Sequence, residues 1–442
     1  MKITFIMPAV GKKKSESYVR SWIMEPLGLA ILSSLTPPEI EKKFYDDRLE
    51  EIPYDESTDL VAINAETYTA KRAYQIAAKY KQRNVPVVMG GYHPTLMPEE
   101  AAEHVDAIVI GEAEQIWEIL LNDFKNKQLK KFYKSSTKTS LNNIFPDRSL
   151  FKDKKYFPVT LIETGRGCKF NCEFCSINAF YKRTYSTRPI DNIIDEIKRT
   201  RAKRIFFVDD NIVNDRNFAF ELFKRLIPLK INWISQASMH IHNDDQLLAL
   251  MKKSGCRGVL IGFESLNKEN LEVMGKHVNN VQNGYEKVVA QFHKHKMAIY
   301  GTFIFGYNDT PDSFKKAYDF ALKNKLFYAA FNHLVPFPGT SLYEKLKREG
   351  KLLFNKWWLD SGCYFGNIYF KPKNLTPEKL EQLCYKYRYK FFSLASIIKR
   401  SFNFRVYWQD IIFLFIYFAN NLFANRETDS RHFLPFGDAN DQ

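Results

Sequence analysis

Short apolar runs alternate with amphipathic segments over the first 124 residues of the chain. The apolar runs suit buried strands, and the segments between them carry apolar residues at helical spacing. Alternation of this kind produces a parallel, doubly wound sheet. We predict strands at 2–8, 42–46, 60–64, 85–91 and 107–112, and helices at 26–35, 70–83, 98–105 and 114–124.

Sheets of this type bind ligands outside the carboxyl ends of their strands. Here those ends carry carboxylates, a hydroxyl, a histidine and glycines, which gives a first set of candidate binding residues. They are Asp46, Asp47, Glu66, Thr67, Gly90, Gly91, His93, Gly111 and Glu112.

A second strand–helix alternation begins near residue 159. Its six units fit a partial barrel, open on one side, rather than the eight units of a closed one. We predict its strands at 159–164, 204–210, 232–238, 258–265, 298–306 and 328–337, and helices at 188–200, 217–227, 244–255 and 313–324. After it the chain is helical and strongly aromatic. We therefore predict a Rossmann-like domain at 1–135, a partial (β/α)6 barrel at 150–340 and a helical region at 341–442.

Composition and charge add limits on partners and compartment. The 442 residues are 45% hydrophobic and carry a formal net charge of +15, with basic runs at 11–14 and 125–138. We interpret the second run as a solvated linker and predict no nucleic-acid partner, since attraction to anionic lipid headgroups would explain the same charge. The first ten residues are too short for a secretory signal, so we expect a reducing, cytoplasmic compartment.

Three of the six cysteines lie within eight positions, at Cys168, Cys172 and Cys175, directly after the first barrel strand. A structural zinc site usually brings a second pair of ligands a dozen or more residues further on. The next cysteine is Cys256, and a small buried residue is the simpler interpretation of it. Three thiolates on a catalytic loop suit an iron–sulfur cluster with one iron left open.

The spacing Cys-x3-Cys-x2-Cys, with Phe174 before the last cysteine and a barrel around it, resembles the radical S-adenosylmethionine superfamily. The resemblance implies a 4Fe–4S cluster whose fourth iron chelates S-adenosylmethionine, release of a 5′-deoxyadenosyl radical, and an external electron donor such as flavodoxin or ferredoxin. It also implies cofactor contacts from polar residues at the strand ends, where helix capping would explain some of them equally well. These residues are Asp209, Asp210, Asn211, Gln236, Ser238, Glu264 and Ser265.

The segment at 85–114 is similar to the cobalamin-binding domain found in one branch of that superfamily, and the resemblance extends to about residue 395. The glycine pair Gly90–Gly91 would let the backbone approach the nucleotide tail of the corrin. The loop at 46–52 reads DDRLEEI, with no histidine to replace the lower cobalt ligand. The alternative is a degenerate domain that no longer binds cobalamin.

Several functions remain open at this point, and no residue is assigned as a catalytic acid or base. His240, His242 and His333 lie on or beside strands, where satisfied core or rim histidines are common. We favour methylation of an unactivated carbon, with radical cyclisation or rearrangement as the alternative. An RNA methylthiotransferase would need a second cluster in the amino-terminal domain, yet no cysteine precedes Cys168. A non-catalytic iron–sulfur or zinc module would not need the polar strand ends.

The carboxyl-terminal tail at 396–427 is a further candidate for function. Its most apolar run, 411–419, is far shorter than the ~20 residues that span a bilayer. As a helix it would have a broad apolar surface, with basic residues at both ends. It either packs on the barrel or lies in a membrane interface and brings the barrel to a lipid-like substrate, at the inner face of the membrane.

Overall fold

The computed structural model describes residues 1–13, 23–135, 139–281 and 284–439. Its amino-terminal part contains a six-stranded parallel sheet in the order β3-β1-β4-β5-β6-β7 with helices on its faces. The strands and helices of this part are β1 Lys2–Met7, β2 Gly11–Lys12, α1 Leu27–Leu35, β3 Glu41–Asp46, β4 Leu60–Asn64, α2 Ala70–Gln82, β5 Val87–Gly90, α3 Tyr92–Leu96, α4 Pro98–His104, β6 Ala107–Ile110, α5 Trp117–Lys125 and β7 Phe132–Lys134.

The sheet confirms the predicted doubly wound arrangement, and all five predicted strands are present. The strand order reverses between β1 and β4, which is where folds of this type open a ligand crevice. The predicted linker at 125–138 was wrong in part, because β7 within it extends the sheet at the edge beyond β6. Residues 136–138 of that linker, and residue 14 of the first basic run, lie outside the described residues.

The middle of the chain forms a second six-stranded parallel sheet, in the order β15-β14-β13-β12-β11-β8. Because β8 and β15 are its two edges, the barrel is open on one side, as the sequence predicted. The elements are β8 Thr160–Ile162, β9 Gly165–Gly167, α6 Ser176–Tyr181, β10 Tyr185–Thr187, α7 Ile190–Thr200, β11 Arg204–Phe207, α8 Arg216–Leu226, β12 Asn232–Gln236, α9 Asp245–Lys253, β13 Cys256–Glu264, α10 Lys268–Val273, α11 Gly284–Lys294, β14 Ala298–Phe305, α12 Pro311–Lys323 and β15 Tyr328–His333.

The carboxyl-terminal part is helical and returns to the amino-terminal part. Near the carboxyl end of the chain a short strand, Gly437–Asp438, pairs in parallel with β2 near the amino end. No helix of the described residues is long and apolar enough to cross a membrane. The elements are α13 Ser341–Arg348, α14 Pro377–Phe391, α15 Leu394–Ser401, α16 Phe404–Tyr407, α17 Ile411–Arg431 and β16 Gly437–Asp438.

Two large apolar cores hold these parts together. One fills the space between the barrel strands and their helices and takes in α14. The other joins the helical face of α2 to Trp357, Trp358 and Tyr369, which follow α13. Fully burying an aromatic side chain contributes about 1.5–3 kcal/mol. The second core therefore fixes the amino-terminal sheet firmly to the segment that follows the barrel.

Candidate active site

The three clustered cysteines lie on a loop between β9 and α6, at the mouth of the barrel. Main-chain hydrogen bonds fix this loop: Glu173 donates to Met274 O at 3.0 Å, and Leu342 donates to Glu173 O at 3.0 Å. Gly275 lies so close to the loop that a Cβ there would be 2.7 Å from Asn171 O. The loop is therefore held from two sides before any cofactor binds.

The chemistry around the thiols fits an iron–sulfur cluster. Burial raises the pKa of Cys172 to about 11, and Lys276 nearby opposes that rise. Burial likewise raises the pKa of Cys168 and Cys175. Thiols in such surroundings stay protonated unless a cation takes the place of the proton, and cluster irons do so. Beside Cys168, the buried Nδ2 of Asn214 has no hydrogen-bond partner.

Within the described ranges, no three His, Cys, Asp or Glu side chains are close enough together to hold one metal ion. In the predicted cluster each cysteine would bind a different iron, so no such single-ion group is required.

The predicted residues at the end of β11 differ in whether they face the mouth of the barrel. Asp209 is buried, and it accepts hydrogen bonds from Thr164 N at 2.7 Å and Gly165 N at 3.3 Å. It therefore fixes the start of the cysteine-bearing segment instead of facing the mouth. Asp210 is half-buried and accepts one bond, from Gly167 N at 3.0 Å. Burial raises its pKa to about 6.

Asn211 is also used inside the protein. It is buried, and its Oδ1 accepts a hydrogen bond from Ser238 N at 3.1 Å. Gln236 and Ser238 are half-buried at the end of the neighbouring strand. At this part of the mouth, Asp210, Gln236 and Ser238 are the predicted residues that remain open to a ligand.

Glu264 has the most constrained backbone of the predicted residues. It has a left-handed backbone, with φ of +60°, at a point where the pairing of β13 with β14 shifts register. Its carboxylate accepts hydrogen bonds from Lys276 Nζ at 3.0 Å and Thr302 Oγ1 at 3.4 Å. Strained backbones of this kind cluster at functional sites. Ser265 is buried, and its hydroxyl accepts a hydrogen bond from Asn267 N at 3.1 Å, so it stabilises the turn that leads into α10.

An apolar side chain on a central barrel strand faces open space. Ile234 is 42% exposed although β12 is a central strand, which requires open space in front of it. Tyr300 and Tyr328 lie side by side on the two last strands, with ring centroids 4.7 Å apart. Burial, aided by Arg388, lowers the pKa of His333 to about 3. His333 is therefore neutral near pH 7, and a proton-donating role does not suit it.

In the amino-terminal sheet, some of the predicted residues around the crevice face open space and others are buried. Glu66 is open to solvent, yet desolvation raises its pKa, with Arg48 opposing. The two observations agree if Glu66 stands in a cleft that the surrounding protein walls in. A Cβ on Gly111, which has φ of +83°, would meet no atom within 4 Å. Glu66 and Gly111 therefore face open space, whereas Thr67 is buried.

The glycine pair has a different explanation from the predicted one. Gly91 has φ of +106°, and a Cβ there would lie 2.3 Å from Asn64 Oδ1 and 2.7 Å from Ala65 O. The turn itself thus requires glycine. A Cβ on Gly90 would meet Val109 at 3.4 Å, inside the sheet. Close approach of this backbone to a ligand remains a prediction.

The structure does not bring His93 to the cleft. Its ring is fully buried, and its Nε2 lies 3.0 Å from Tyr74 Oη and 3.1 Å from Glu100 Oε1. Trp358 donates to the same glutamate oxygen at 2.9 Å. His93 is therefore part of the joint between the amino-terminal sheet and the segment after the barrel. This role could not be predicted from local sequence patterns, because Trp358 lies far along the chain.

The two carboxylates at the end of β3 likewise form internal ion pairs. Asp46 is buried and binds Arg48 through two nitrogens, at 2.8 and 2.6 Å. Asp47 is buried and binds Arg72 in the same two-point manner, at 2.8 and 2.9 Å. Neither carboxylate is placed to receive a ligand.

Sequence reasoning missed a charge cluster that joins the two sheets. Arg166, two residues before the first cysteine, lies 2.8 Å from Glu112, 2.6 Å from Glu114 and 2.8 Å from Glu163. Glu112, a predicted cofactor residue, is thereby held against the cysteine-bearing segment. An arginine beside the cysteine motif was the available signal, but Glu112 and Glu114 lie about fifty positions earlier and could not be paired with it.

Comparison with known proteins supports the same assignment of the two sheets. The family description "Radical SAM superfamily" matches residues 162–321, and "B12 binding domain" matches residues 25–121. Bacteriochlorophyllide d C-12(1)-methyltransferase of Chlorobaculum tepidum is 34% identical over 418 residues, covering 91% of this chain and 89% of that protein. Bacteriochlorophyllide d C-8(2)-methyltransferase of the same organism is 30% identical, covering 75% and 78%. The structure of the cobalamin-dependent S-adenosylmethionine radical enzyme OxsB with aqua-cobalamin and S-adenosylmethionine bound is 14% identical, with a TM-score of 0.66, covering 97% of this chain and 71% of that one.

Proposed function

Because this chain belongs to the cobalamin-dependent methyltransferases of the radical S-adenosylmethionine superfamily, we propose that it methylates an unactivated carbon of a large hydrophobic substrate of the tetrapyrrole class. Its cofactors are a 4Fe–4S cluster, S-adenosylmethionine and cobalamin. Together these supply, when bound, removal of a substrate hydrogen atom and delivery of a methyl group. The observation that carries the substrate class is the similarity to two bacteriochlorophyllide methyltransferases along most of the chain.

We assign roles to the site residues at the barrel mouth from their positions. Cys168, Cys172 and Cys175 would hold the cluster. Asp210 and Glu264, with the neighbouring Gln236 and Ser238, would bind the polar end of S-adenosylmethionine. Each is at a strand end close to the cysteine loop. Asp210, Gln236 and Ser238 are half-buried. The Glu264 carboxylate is buried and accepts hydrogen bonds from Lys276 and Thr302, so cofactor binding there would replace one of these donors.

The lumen supports a hydrophobic substrate. Its surface includes Ile234, Tyr300 and Tyr328, whose two rings lie 4.7 Å apart at an angle of 57° and present a mainly apolar wall. A large apolar molecule gains about 25 cal/mol per Å² when it leaves water for such a wall. The proposal also includes an external one-electron donor and, since substrates of this class partition into lipid, contact with a membrane surface.

A labelled methyl donor tests the proposal. Anaerobic protein reconstituted with iron, sulfide and cobalamin is incubated with reductant, trideuteromethyl S-adenosylmethionine, and either a chlorin or a polycyclic lipid. We expect the label in a carbon–methyl group of the chlorin, and none when Cys172→Ala protein is used. Label found only in the lipid would identify the substrate as a polycyclic lipid instead of a tetrapyrrole. Formation of a new ring without label would favour cyclisation.

A further inference from the structure

The last three helices have one face built into the protein. Along α17 the buried residues Phe413, Tyr417, Asn421 and Ala424 recur at helical spacing. Tyr417 donates to Ile397 O at 2.7 Å, and Asn421 donates to Phe327 O at 3.1 Å. The tail therefore packs against the barrel, which was one of the two alternatives predicted from the sequence.

The opposite face of the same helices is apolar and open to solvent. Of the eighteen large hydrophobic side chains that are exposed in the described residues, ten lie between 394 and 423. Ile411 is 77% exposed and Phe415 is 70% exposed. We refer to this set as the tail patch; its members are Leu394, Ile398, Phe402, Phe404, Trp408, Ile411, Ile412, Phe415, Leu422 and Phe423.

The residues of the tail patch are close in sequence, and its aromatic members contact one another. The rings of Phe402 and Phe404 lie 6.0 Å apart, and those of Phe404 and Trp408 lie 5.4 Å apart. One turn further, Ile411, Ile412 and Phe415 share one side of α17. Isolated exposed hydrophobic residues need no explanation, but a contiguous patch marks a protein or membrane contact.

The charges around the tail patch identify the partner. Lys399, Arg405 and Arg426 are exposed at its edges. The only acid between residues 394 and 426 is Asp410, and Arg257 neutralises it at 2.6 Å. A surface of aromatic and aliphatic side chains with basic residues at its edges complements the interface of an anionic bilayer, where rings sit at headgroup level and cations meet phosphates.

We propose that the tail patch is a membrane-binding surface that lies in the headgroup region of an anionic bilayer. The helices lie on the membrane rather than across it. At its other end α17 lies beside α14, where Tyr389 donates a hydrogen bond to Asp429. There α14 contacts the edge strand β15, since Arg388 donates to Asn332 Oδ1 at 3.1 Å. The same helix thus connects the bilayer surface with the open barrel, a route for a hydrophobic substrate. That last step rests on the proposed function, whereas membrane binding itself does not.

Sedimentation with vesicles tests the surface without any turnover. Full-length protein is mixed with phosphatidylglycerol-containing vesicles and with phosphatidylcholine vesicles, at low and high salt. We expect binding to the anionic vesicles that weakens with salt. I412E/F415E should lose it, while the control I119E/F132E, which adds the same charge at exposed apolar residues on α5 and β7, should bind as the wild type does.

A second pair of variants tests the basic rim. K399E/R405E should bind anionic vesicles at least tenfold more weakly, because each cation contributes about a fivefold factor. The control K198E/K287E makes the same change in net charge at exposed lysines on α7 and α11 and should have little effect.

Three outcomes would overturn the proposal. Wild-type protein could stay in the supernatant with anionic vesicles, or I412E/F415E could sediment with them as the wild type does. The third is self-association: a dimer, seen by sedimentation velocity without vesicles and abolished by I412E/F415E, would assign the tail patch to a second copy of the chain. Label transfer to a detergent-dispersed chlorin, measured on the same variants, separates this failure from failure of the proposed function.

Discussion

Replacing Gly111 by leucine should weaken cobalamin binding while leaving the fold intact. Gly111 has φ of +83°, and no atom lies within 4 Å of where its Cβ would be. The substitution therefore costs the backbone strain of a left-handed residue, roughly 1–2 kcal/mol, and its Cβ meets no atom of the protein. The new side chain would occupy the cleft beside Glu66. Overfilling a packed site costs about 1–3 kcal/mol, which corresponds to roughly a five- to 150-fold rise in the cobalamin Kd.

A matched glycine separates strain from loss of the ligand site. Gly350 also has a left-handed backbone, with φ of +62° and nothing within 4 Å of its Cβ, but it follows α13 on the surface. Gly350→Leu should lower the melting temperature about as much as Gly111→Leu does, and it should leave the cobalamin Kd unchanged. Gly91→Ala would not serve, since its Cβ would clash with Asn64 and Ala65 whether or not cobalamin binds there.

Absorbance titration with cobalamin, together with thermal melting of both proteins, makes the comparison. Equal Kd values for Gly111→Leu and Gly350→Leu would refute the reasoning, because the cleft next to Gly111 would then not hold the cofactor. Equal iron content in both proteins is required for the comparison to be valid.

Three further outcomes can be measured on the same preparations. Lys276→Met should lower the unfolding free energy by about 3–5 kcal/mol, since it leaves Glu264 buried without its cation; a second substitution, Glu264→Gln, should recover most of that loss, and no recovery would contradict the pairing. Burial and Lys325 lower the pKa of His293 to about 4, so the neutral ring favours the fold and stability should fall as pH drops from about 6.5 toward 4; His293→Gln should melt with a weaker pH dependence over that window, and an unchanged slope would argue against it. Cys256→Ala should retain its iron because Cys256 is fully buried at the start of β13, far from the mouth; loss of the cluster in that protein would show that the ligand set is wrong.

The strands of both sheets could be predicted because a parallel sheet covered on both faces leaves continuous apolar runs in the sequence. The edge strand β7 escaped, since only its middle residue, Tyr133, is buried and its neighbours are exposed. The pairing of β16 with β2 could not be predicted either, because two-residue strands separated by most of the chain carry no periodic signal.

The candidate site was predictable to the extent that it is local in sequence. The cysteine spacing and the polar strand ends are local patterns. Which strand-end residues face the ligand depends on tertiary partners: Asp209 is turned inward by two backbone amides, and His93 by Tyr74 and Glu100. Arg166 also pairs with Glu112 and Glu114, which lie far from it in the sequence. Long-range ion pairs of this kind leave no mark that one sequence can reveal.

The most direct test of the central claim is the product balance of the reconstituted protein under anaerobic turnover with reductant, cobalamin, S-adenosylmethionine and a chlorin substrate. The account predicts that 5′-deoxyadenosine and S-adenosylhomocysteine both accumulate in step with the methylated product, and that Cys172→Ala protein forms no 5′-deoxyadenosine. Methylated product without 5′-deoxyadenosine, or 5′-deoxyadenosine without S-adenosylhomocysteine, would contradict it.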